Sequence, residues 1–227
     1  MTSPKTGVVR LRNGLKIFLS SHPHDVVTVF VIFIRRDYGA VSPGGVVVDI
    51  GANIGVFTLY AAACGAGAVH AFEPNSESFR QLSRNVLENR LENVVRARRM
   101  AVTGTHVGEV KFPKGSSMYN AIIDDDAVQE YENVSSLTLR EIITRDPSGN
   151  LEVDLLKMDC EGEEYGILFA AEPELFRNIG KIRLEYHKGN RSGLLSFLER
   201  MGYRHRFSKE ENSRSGILWV ERKPAGE

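Results

Sequence analysis

The chain has 227 residues, with 29 basic against 29 acidic side chains. That length suits one α/β domain with a full core, and the zero net charge offers no electrostatic case for a nucleic-acid or anionic-membrane partner. Its two cysteines, Cys64 and Cys160, are too far apart for a metal knuckle and fit a reducing, cytoplasmic setting better than a disulfide framework.

Residues 1–45 read as an N-terminal extension of hairpin and helix. Its start, MTSPKTGVVRLRNG, lacks the apolar core of a signal peptide. Val8–Leu11 and Leu15–Leu19 flank Asn13-Gly14, a strong hairpin signal. After a break at His22-Pro-His-Asp25, the run Val26–Ile34 has the β-branched content of a strand but the flanks of a helix: Asp25 as N-cap and Arg35-Arg36 in a last turn. It is read as a helix. Its nine residues, interrupted by Thr28, fall far short of the about 20 that cross a bilayer. The extension serves either as a lid or as a structural cap on the sheet edge.

Residues 46–227 read as the main domain, and Val46–Gly55 organises it. Val46, Val47, Val48 and Ile50 form an apolar strand suited to the middle of a parallel sheet. The strand stops in Gly51-Ala-Asn-Ile-Gly55 and re-enters as a helix through Val56, Phe57, Leu59 and Tyr60, the first half of a βαβ unit. Ala68–Phe72 is the next strand. Glu73 at its end stands 24 positions after Asp49, where a nucleotide-binding fold holds ribose hydroxyls. The alternative role for Glu73 is a helix N-terminal acid satisfying the dipole. Dinucleotide enzymes use G-x-G-x-x-G; this chain has D-x-G-x-x-x-G instead.

Asn75 or Ser76 caps a helix carrying Phe79, Leu82, Val86 and Leu87 on one face. Val94–Met100 is a third strand with Ala101-Val102 at its carboxyl end. Glu109–Phe112 and Ala121–Ile123 have strand character. Asp124-Asp-Asp126 is an exposed turn rather than a cation site, because three consecutive side chains do not converge on one ion, and no metal centre is expected. Thr138-Leu-Arg-Glu141 is a capping box. Val153–Met158 is a strand ending in Asp159-Cys-Glu-Gly-Glu-Glu164, followed by a helix through Ile167 and Leu168. Lys181–His187 is a strand, Ser192–Met201 a helix, and Tyr203–Phe207 and Ile217–Val220 are closing strands around a polar turn. The fold class is α/β, a Rossmann-like, doubly wound mixed sheet.

Alternation along strands puts Lys157 and Asp159 on one face and Glu185 and His187 on one face. With Asp159 beside His187, Lys157 falls beside Glu185. That register pairs a buried Lys with a Glu and leaves an acid–imidazole pair at the carboxyl edge of the sheet.

VVVDIGANIG, then Phe72-Glu-Pro74, then Lys157-Met-Asp-Cys-Glu-Gly-Glu-Glu164, then Leu184-Glu-Tyr-His187 resemble the FkbM-type methyltransferases, a branch of the class I S-adenosylmethionine (SAM) superfamily. The resemblance covers about residues 46–187. Met158 and Cys160 stand where Ile and Val are more usual. The resemblance implies SAM as cofactor and O-methylation of a hydroxyl on a sugar, polyketide or other secondary-metabolite acceptor. With balanced charge, the expected partner is that small molecule, and neither nucleic acid nor membrane. The rival readings are an NAD-type Rossmann oxidoreductase, disfavoured by the glycine spacing and by the lack of a Tyr-x-x-x-Lys pair, and a non-catalytic SAM-binding module.

In such a sheet, ligands sit outside the carboxyl ends of the strands. Gly51, Ala52 and Gly55 then face the methionine part of SAM, and Asn53 bonds its amino-acid moiety. Asp49 organises the turn or accepts from the ammonium. Glu73 takes both ribose hydroxyls, Pro74 and Asn75 border the adenosine, and Ala101 and Val102 the adenine. Asp159 borders the methyl site. His187 is the first candidate for the base, with Asp159 as its partner; Asp159 or Glu161 is the next base to test.

Overall fold

The computed structural model describes residues 7–105, 108–114, 130–144, 150–187, 189–212 and 215–224. The extension opens with a hairpin of β1 (Val8–Arg10) and β2 (Lys16–Phe18), with Gly14 at φ 89° in its turn. Helix α1 (Asp25–Val29) follows and passes directly into a π-wound turn, Phe30–Arg35, that stops at left-handed Arg36. The expected helix is therefore present, with its second half underwound. Asp25 is not its N-cap: it is the first helical residue, and its Oδ2 accepts from the Ser20 N–H at 2.6 Å, closing the loop before the helix.

The main sheet takes β3 (Val46–Ile50), β4 (Ala68–Phe72) and β5 (Val95–Arg98) on one side. Helices α2 (Val56–Ala63) and α3 (Ser76–Glu88) connect them. The chain then leaves this sheet. Arg99, ion-paired at 2.7 Å to Glu132, marks the exit. Ala101–Val102 becomes β6, which pairs with β8 (Tyr131–Leu137) beside β7 (Glu109–Pro113) in a small second sheet. The third strand, expected over Val94–Met100, stops at Arg98, and Ala101 and Val102 beyond it pair with Ser136 and Leu137. The expected strand at Ala121–Ile123 and the turn at Asp124–Asp126 lie outside the described residues.

Helix α4 (Leu139–Thr144) opens on the expected capping box: Glu141 Oε2 accepts from the Thr138 N–H at 2.8 Å and Thr138 Oγ1 accepts from the Glu141 N–H at 3.3 Å. Strand β9 (Val153–Met158), helix α5 (Glu164–Ala170), a 3₁₀ turn at Pro173–Asn178, strand β10 (Ile179–Tyr186) and helix α6 (Arg191–Arg200) bring the chain back. An antiparallel hairpin of β11 (Tyr203–Asn212) and β12 (Ser215–Arg222) closes the sheet. The order is β11-β12-β10-β9-β3-β4-β5 over seven strands, with β12 antiparallel to β10 and the β10-to-β5 run parallel. This is the doubly wound, mixed sheet expected from the sequence.

Because side chains alternate, each central strand feeds two cores. Val48, Ile50, Leu156, Met158 and Leu184 pack on the face carrying α4, α5 and α6. Val47, Val69, Ala71 and Leu155 pack on the other face, together with α2, α3 and the extension. The hairpin is tied to α3 by two side-chain amides one helical turn apart. Asn85 accepts from the Phe18 N–H at 2.7 Å and donates to Phe18 O at 3.0 Å; Asn89 does the same for Lys16, at 2.8 and 2.6 Å. The two amides stand in for a neighbouring strand along β2.

Candidate active site

The glycine turn after β3 shows what its residues are for. A Cβ at Gly51 would overlap the carbonyl oxygen of Asp159, and one at Gly55 would press on Leu82 Cδ1 at 2.5 Å. Both glycines also have φ in the left-handed region, 73° and 88°. They are required by the crossing of the protein's own chains, β3 against the end of β9 and α2 against α3. Asp49 is fully buried. Its Oδ2 accepts from Thr58 Oγ1 at 2.6 Å, and its Oδ1 lies 3.1 Å from the Lys157 ammonium in an ion pair too poorly aligned for a hydrogen bond. Lys157 Nζ also donates to Gly51 O at 2.8 Å. Burial opposes the lysine's charge, but Asp49 and Asp159 outweigh it and hold its pKa above the ordinary value. Asp49 therefore organises the turn; Asp49, Gly55 and Asn75 line neither of the two cavities described next.

The first cavity opens at the carboxyl ends of β3 and β4. Gly51, Asn53, Glu73, Pro74, Ala101 and Val102 line it, with Phe72, Met100 and Phe112 supplying apolar surface. Glu73 is held rigidly there: Oε2 accepts from the Asn53 N–H at 2.7 Å and Oε1 from the Asn75 N–H at 2.9 Å. Each oxygen keeps a free lone pair for a diol. Burial pushes the carboxyl up to about 7 against those two hydrogen bonds. Asn75 is spent on capping α3, its Oδ1 accepting from the Glu77 and Ser78 N–H groups.

The second, larger cavity lies beyond the glycine turn and is walled by α1 and the π-wound turn through Val27, Val31 and Ile32. The two cavities share Gly51, Asn53, Asp159 and Glu161. Ala52 lines the second cavity only.

At that junction the expected register between β9 and β10 fails by two residues. Lys157 lies level with Arg183 and Met158 with Leu184, so Glu185, not His187, is level with Asp159. A slip of two keeps every side chain on its face and changes only the partners. Lys157 takes Asp49, its neighbour across β3, in place of Glu185. Arg183 takes Glu221 on β12 at 3.0 Å. His187 sits past the strand end, where its Nδ1 faces Glu164 Oε1 at 3.2 Å. Glu164 has no exposed surface and is fixed by the Cys160 and Gly162 N–H groups at 2.8 and 2.9 Å. The imidazole's other nitrogen, Nε2, lies 3.8 Å from Glu161 and 4.0 Å from each of Asp159 and Glu185.

Burial alone lowers the imidazole pKa, but the Glu164 hydrogen bond and the charges of Glu164, Asp159 and Glu161 prevail and raise it to about 9. At neutral pH this sets a protonated imidazole among the carboxylates. Glu161 is raised to about 7 by burial, with His187 opposing and Asp159, Glu164 and Glu185 adding to the rise. Glu185 reaches about 7 by burial and by the Asp159 charge. Two members of this cluster are not marked as site residues by the sequence: Glu164, read there only as the last of the acidic run after the strand, and Tyr38, whose hydroxyl lies 2.9 Å from Glu185 and 3.2 Å from Asp159.

Residues 49–205, from the buried Asp49 to the strand beyond His187, match the family described as the methyltransferase FkbM domain. The chain belongs to the FkbM methyltransferase family. Its cofactor is SAM, and the Glu73 carboxylate, held by two backbone N–H groups, and the apolar wall of the first cavity fit that group. The fold is shared with the crystal structure of an FkbM methyltransferase from Methylobacillus flagellatus, at TM-score 0.56 and 14% identity over 85% of this chain and 47% of that one. It is shared also with the Trm5 of a tRNALeu complex, at TM-score 0.52 and 14% identity, over 98% of this chain and 54% of that one. A ribosomal protein L11 methyltransferase of Bacillus cereus is 27% identical over 94 residues, 41% of this chain and 28% of its own length. This FkbM-family chain spans about half the length of the first two and under a third of the last.

One expectation is overturned here. Balanced charge was taken to exclude a nucleic-acid partner, yet the same fold is found on tRNA in the Trm5 complex. Net charge summed over a chain does not report on the local surface that meets a phosphate backbone. Among the described residues, no helix is long and apolar enough to cross a membrane.

The site makes stability depend on pH. Glu73, Glu161 and Glu185 have folded pKa values of about 7 against an ordinary 4.5. A carboxyl raised in this way binds its proton more tightly when folded, so its contribution is complete below the ordinary value and lost as pH rises through the folded one. His187, raised from 6.5 to about 9, acts in the same direction over a higher window. Thermal melts of the SAM-free protein should therefore show Tm falling as pH rises from about 5 to about 9. Glu185→Gln should shallow the lower half of that slope; an unchanged slope would remove Glu185 from the account.

Proposed function

We propose that this protein transfers the methyl group of SAM to a hydroxyl on a small-molecule acceptor of the sugar, polyketide or other secondary-metabolite class. The observation that carries the reading is the meeting of the two cavities over Asp159 and Glu161. Bound SAM supplies an electrophilic sulfonium methyl. The chain's own residues need only hold an acceptor oxygen in line with it and take its proton. Glu73 holds the ribose end, Pro74, Ala101 and Val102 border the nucleoside, and Gly51 and Asn53 carry the methionine end toward the junction. Asp159, Glu161 and His187 stand where the acceptor hydroxyl loses its proton. The cytoplasm is the proposed setting, supported by two free cysteines.

Transfer of tritiated methyl from SAM to pooled hydroxylated small molecules tests this, with tRNA and rRNA as a parallel arm. Label in the small-molecule pool supports the proposal; label confined to RNA replaces it. Titration calorimetry tests the cofactor end. SAM should bind and NAD should not. Glu73→Ala should weaken SAM by about 1–3 kcal/mol, roughly 5- to 150-fold, because the ribose hydroxyls lose a buried partner. A folded Glu73→Ala variant with unchanged affinity would reduce Glu73 to a helix-end acid.

A further inference from the structure

Between the π-wound turn and β3 the chain passes through Asp37-Tyr-Gly39, and two separate anchors fix this short strap. The Asp37 carbonyl accepts from Trp219 Nε1 at 2.7 Å, and the Gly39 carbonyl accepts from the Tyr60 hydroxyl at 2.9 Å. The Trp219 ring in turn lies between Arg183 and Arg206, 4.4 and 4.1 Å from its centroid. Gly39 has φ 75°, and a Cβ there would stand 2.7 Å from the Trp219 ring. The residue held between the two fixed carbonyls is Tyr38. Its ring is buried edge-on against Phe57, centroids 5.4 Å apart. Its hydroxyl emerges at the junction of the two cavities, 2.9 Å from Glu185 Oε2 and 3.2 Å from Asp159 Oδ2.

A hydroxyl has one proton, and here it faces two acids. Burial, and then the charges of Asp159 and Glu185, raise the phenol's pKa well above its ordinary value, so it stays a donor throughout the physiological range. The closer oxygen, on Glu185, takes the proton. The carboxylates of Asp159 and Glu185 thus share one fixed donor while their other oxygens, Oδ1 and Oε1, face His187 Nε2 at 4.0 Å.

We propose that Tyr38 is a positioning residue for methyl transfer: its hydroxyl holds the Asp159 and Glu185 carboxylates in place at the cavity junction and sets which of them carries a proton when the acceptor is bound. The proposal rests on reading that junction as the methyl-transfer point. The charged groups facing Glu185 are Asp159 and Lys157 from β9 and its end, Glu161 from the turn that follows, and His187 from the end of β10. Tyr38, from the strap, is the neutral donor among them. Asp159 raises the Glu185 pKa, while Tyr38, His187 and Lys157 lower it. Removing the phenol oxygen removes the first of those three opposing influences.

The test compares the full-length wild type with Tyr38→Phe, both with S-adenosylhomocysteine bound. Carboxyl-carbon NMR titrations follow Glu185 and Asp159, and calorimetry gives the ligand's affinity. Phe keeps the packing on Phe57, so affinity should stay within about twofold, while the Glu185 titration moves upward by about one pH unit. The acid limb of methyl transfer to the hydroxylated pool should move the same way. A 3-fluorotyrosine at position 38, a stronger donor of the same shape, should move Glu185 downward, which keeps the test open if Tyr38→Phe fails to fold. A Glu185 titration unmoved by either change, in protein that binds S-adenosylhomocysteine, would overturn the role of Tyr38. No binding of that product by the wild type would overturn the site reading first, and this proposal with it.

Discussion

Replacing His187 with Ala should lower turnover by about 10²–10⁴-fold and leave SAM affinity within about twofold. The motivation is placement: Nδ1 is engaged by the buried Glu164, so Nε2 is the nitrogen presented to the junction, 3.8–4.0 Å from three carboxylates. The pH profile then discriminates between bases. With a pKa of about 9, the imidazole is protonated at neutral pH and must lose its proton before it can accept one. If His187 is the base, the wild-type rate rises with pH toward about 9, and His187→Ala abolishes that limb. If Glu161 is the base, the rate rises through about 7 and the limb survives in the variant. A His187→Ala enzyme with near-normal turnover removes the imidazole from proton transfer and leaves Asp159 and Glu161.

The second large effect concerns stability. Lys157→Ala should destabilise the fold by about 3–5 kcal/mol, because it leaves the Asp49 carboxylate buried without a counter-charge. Asp49 has no exposed surface and Lys157 almost none. Against a total stability of roughly 5–15 kcal/mol, the variant should lose much of its cooperative transition in urea. Pairing Lys157→Met with Asp49→Asn should recover most of the loss, since no unpaired charge then remains. A single Lys157→Ala variant within about 1 kcal/mol of the wild type would show that water reaches Asp49 and the pair is not dry.

What the sequence disclosed follows from which interactions are local. The strand-turn-helix at Val46–Tyr60, the capping box at Thr138–Glu141 and the hairpin about Asn13-Gly14 are set by neighbours in the chain, and each is where the pattern puts it. The acidic end of β9 and the histidine after β10 are likewise visible as residue types at strand ends. Which residue they meet is not, because partner choice depends on register between strands remote in sequence. Alternation fixes the face but allows slips of two, and β10 took the slip that gives Arg183 its carboxylate on β12. The departure of Ala101-Val102 into a second sheet had the same cause, a partner strand over 30 residues later. Tyr38 was invisible for another reason. Nothing in Asp37-Tyr-Gly39 marks it, and its position is imposed by Trp219 and Tyr60, one near the end of the chain.

The amide ladder from Asn85 and Asn89 to β2 bears on where this protein can be cut. A truncation beginning at β3 looks natural from the family pattern, which starts at Asp49. It would strip both asparagines of their strand partners and expose the α2 rings of Phe57 and Tyr60. It would also take away the donor shared by Asp159 and Glu185 and one whole wall of the larger cavity. The riveted hairpin at one end and the anchored strap at the other leave residues 20–36 spanning a gap between two fixed supports. Shortened expression forms therefore need to begin before β1, and swaps between relatives that aim to change the acceptor have their natural joints at those two supports.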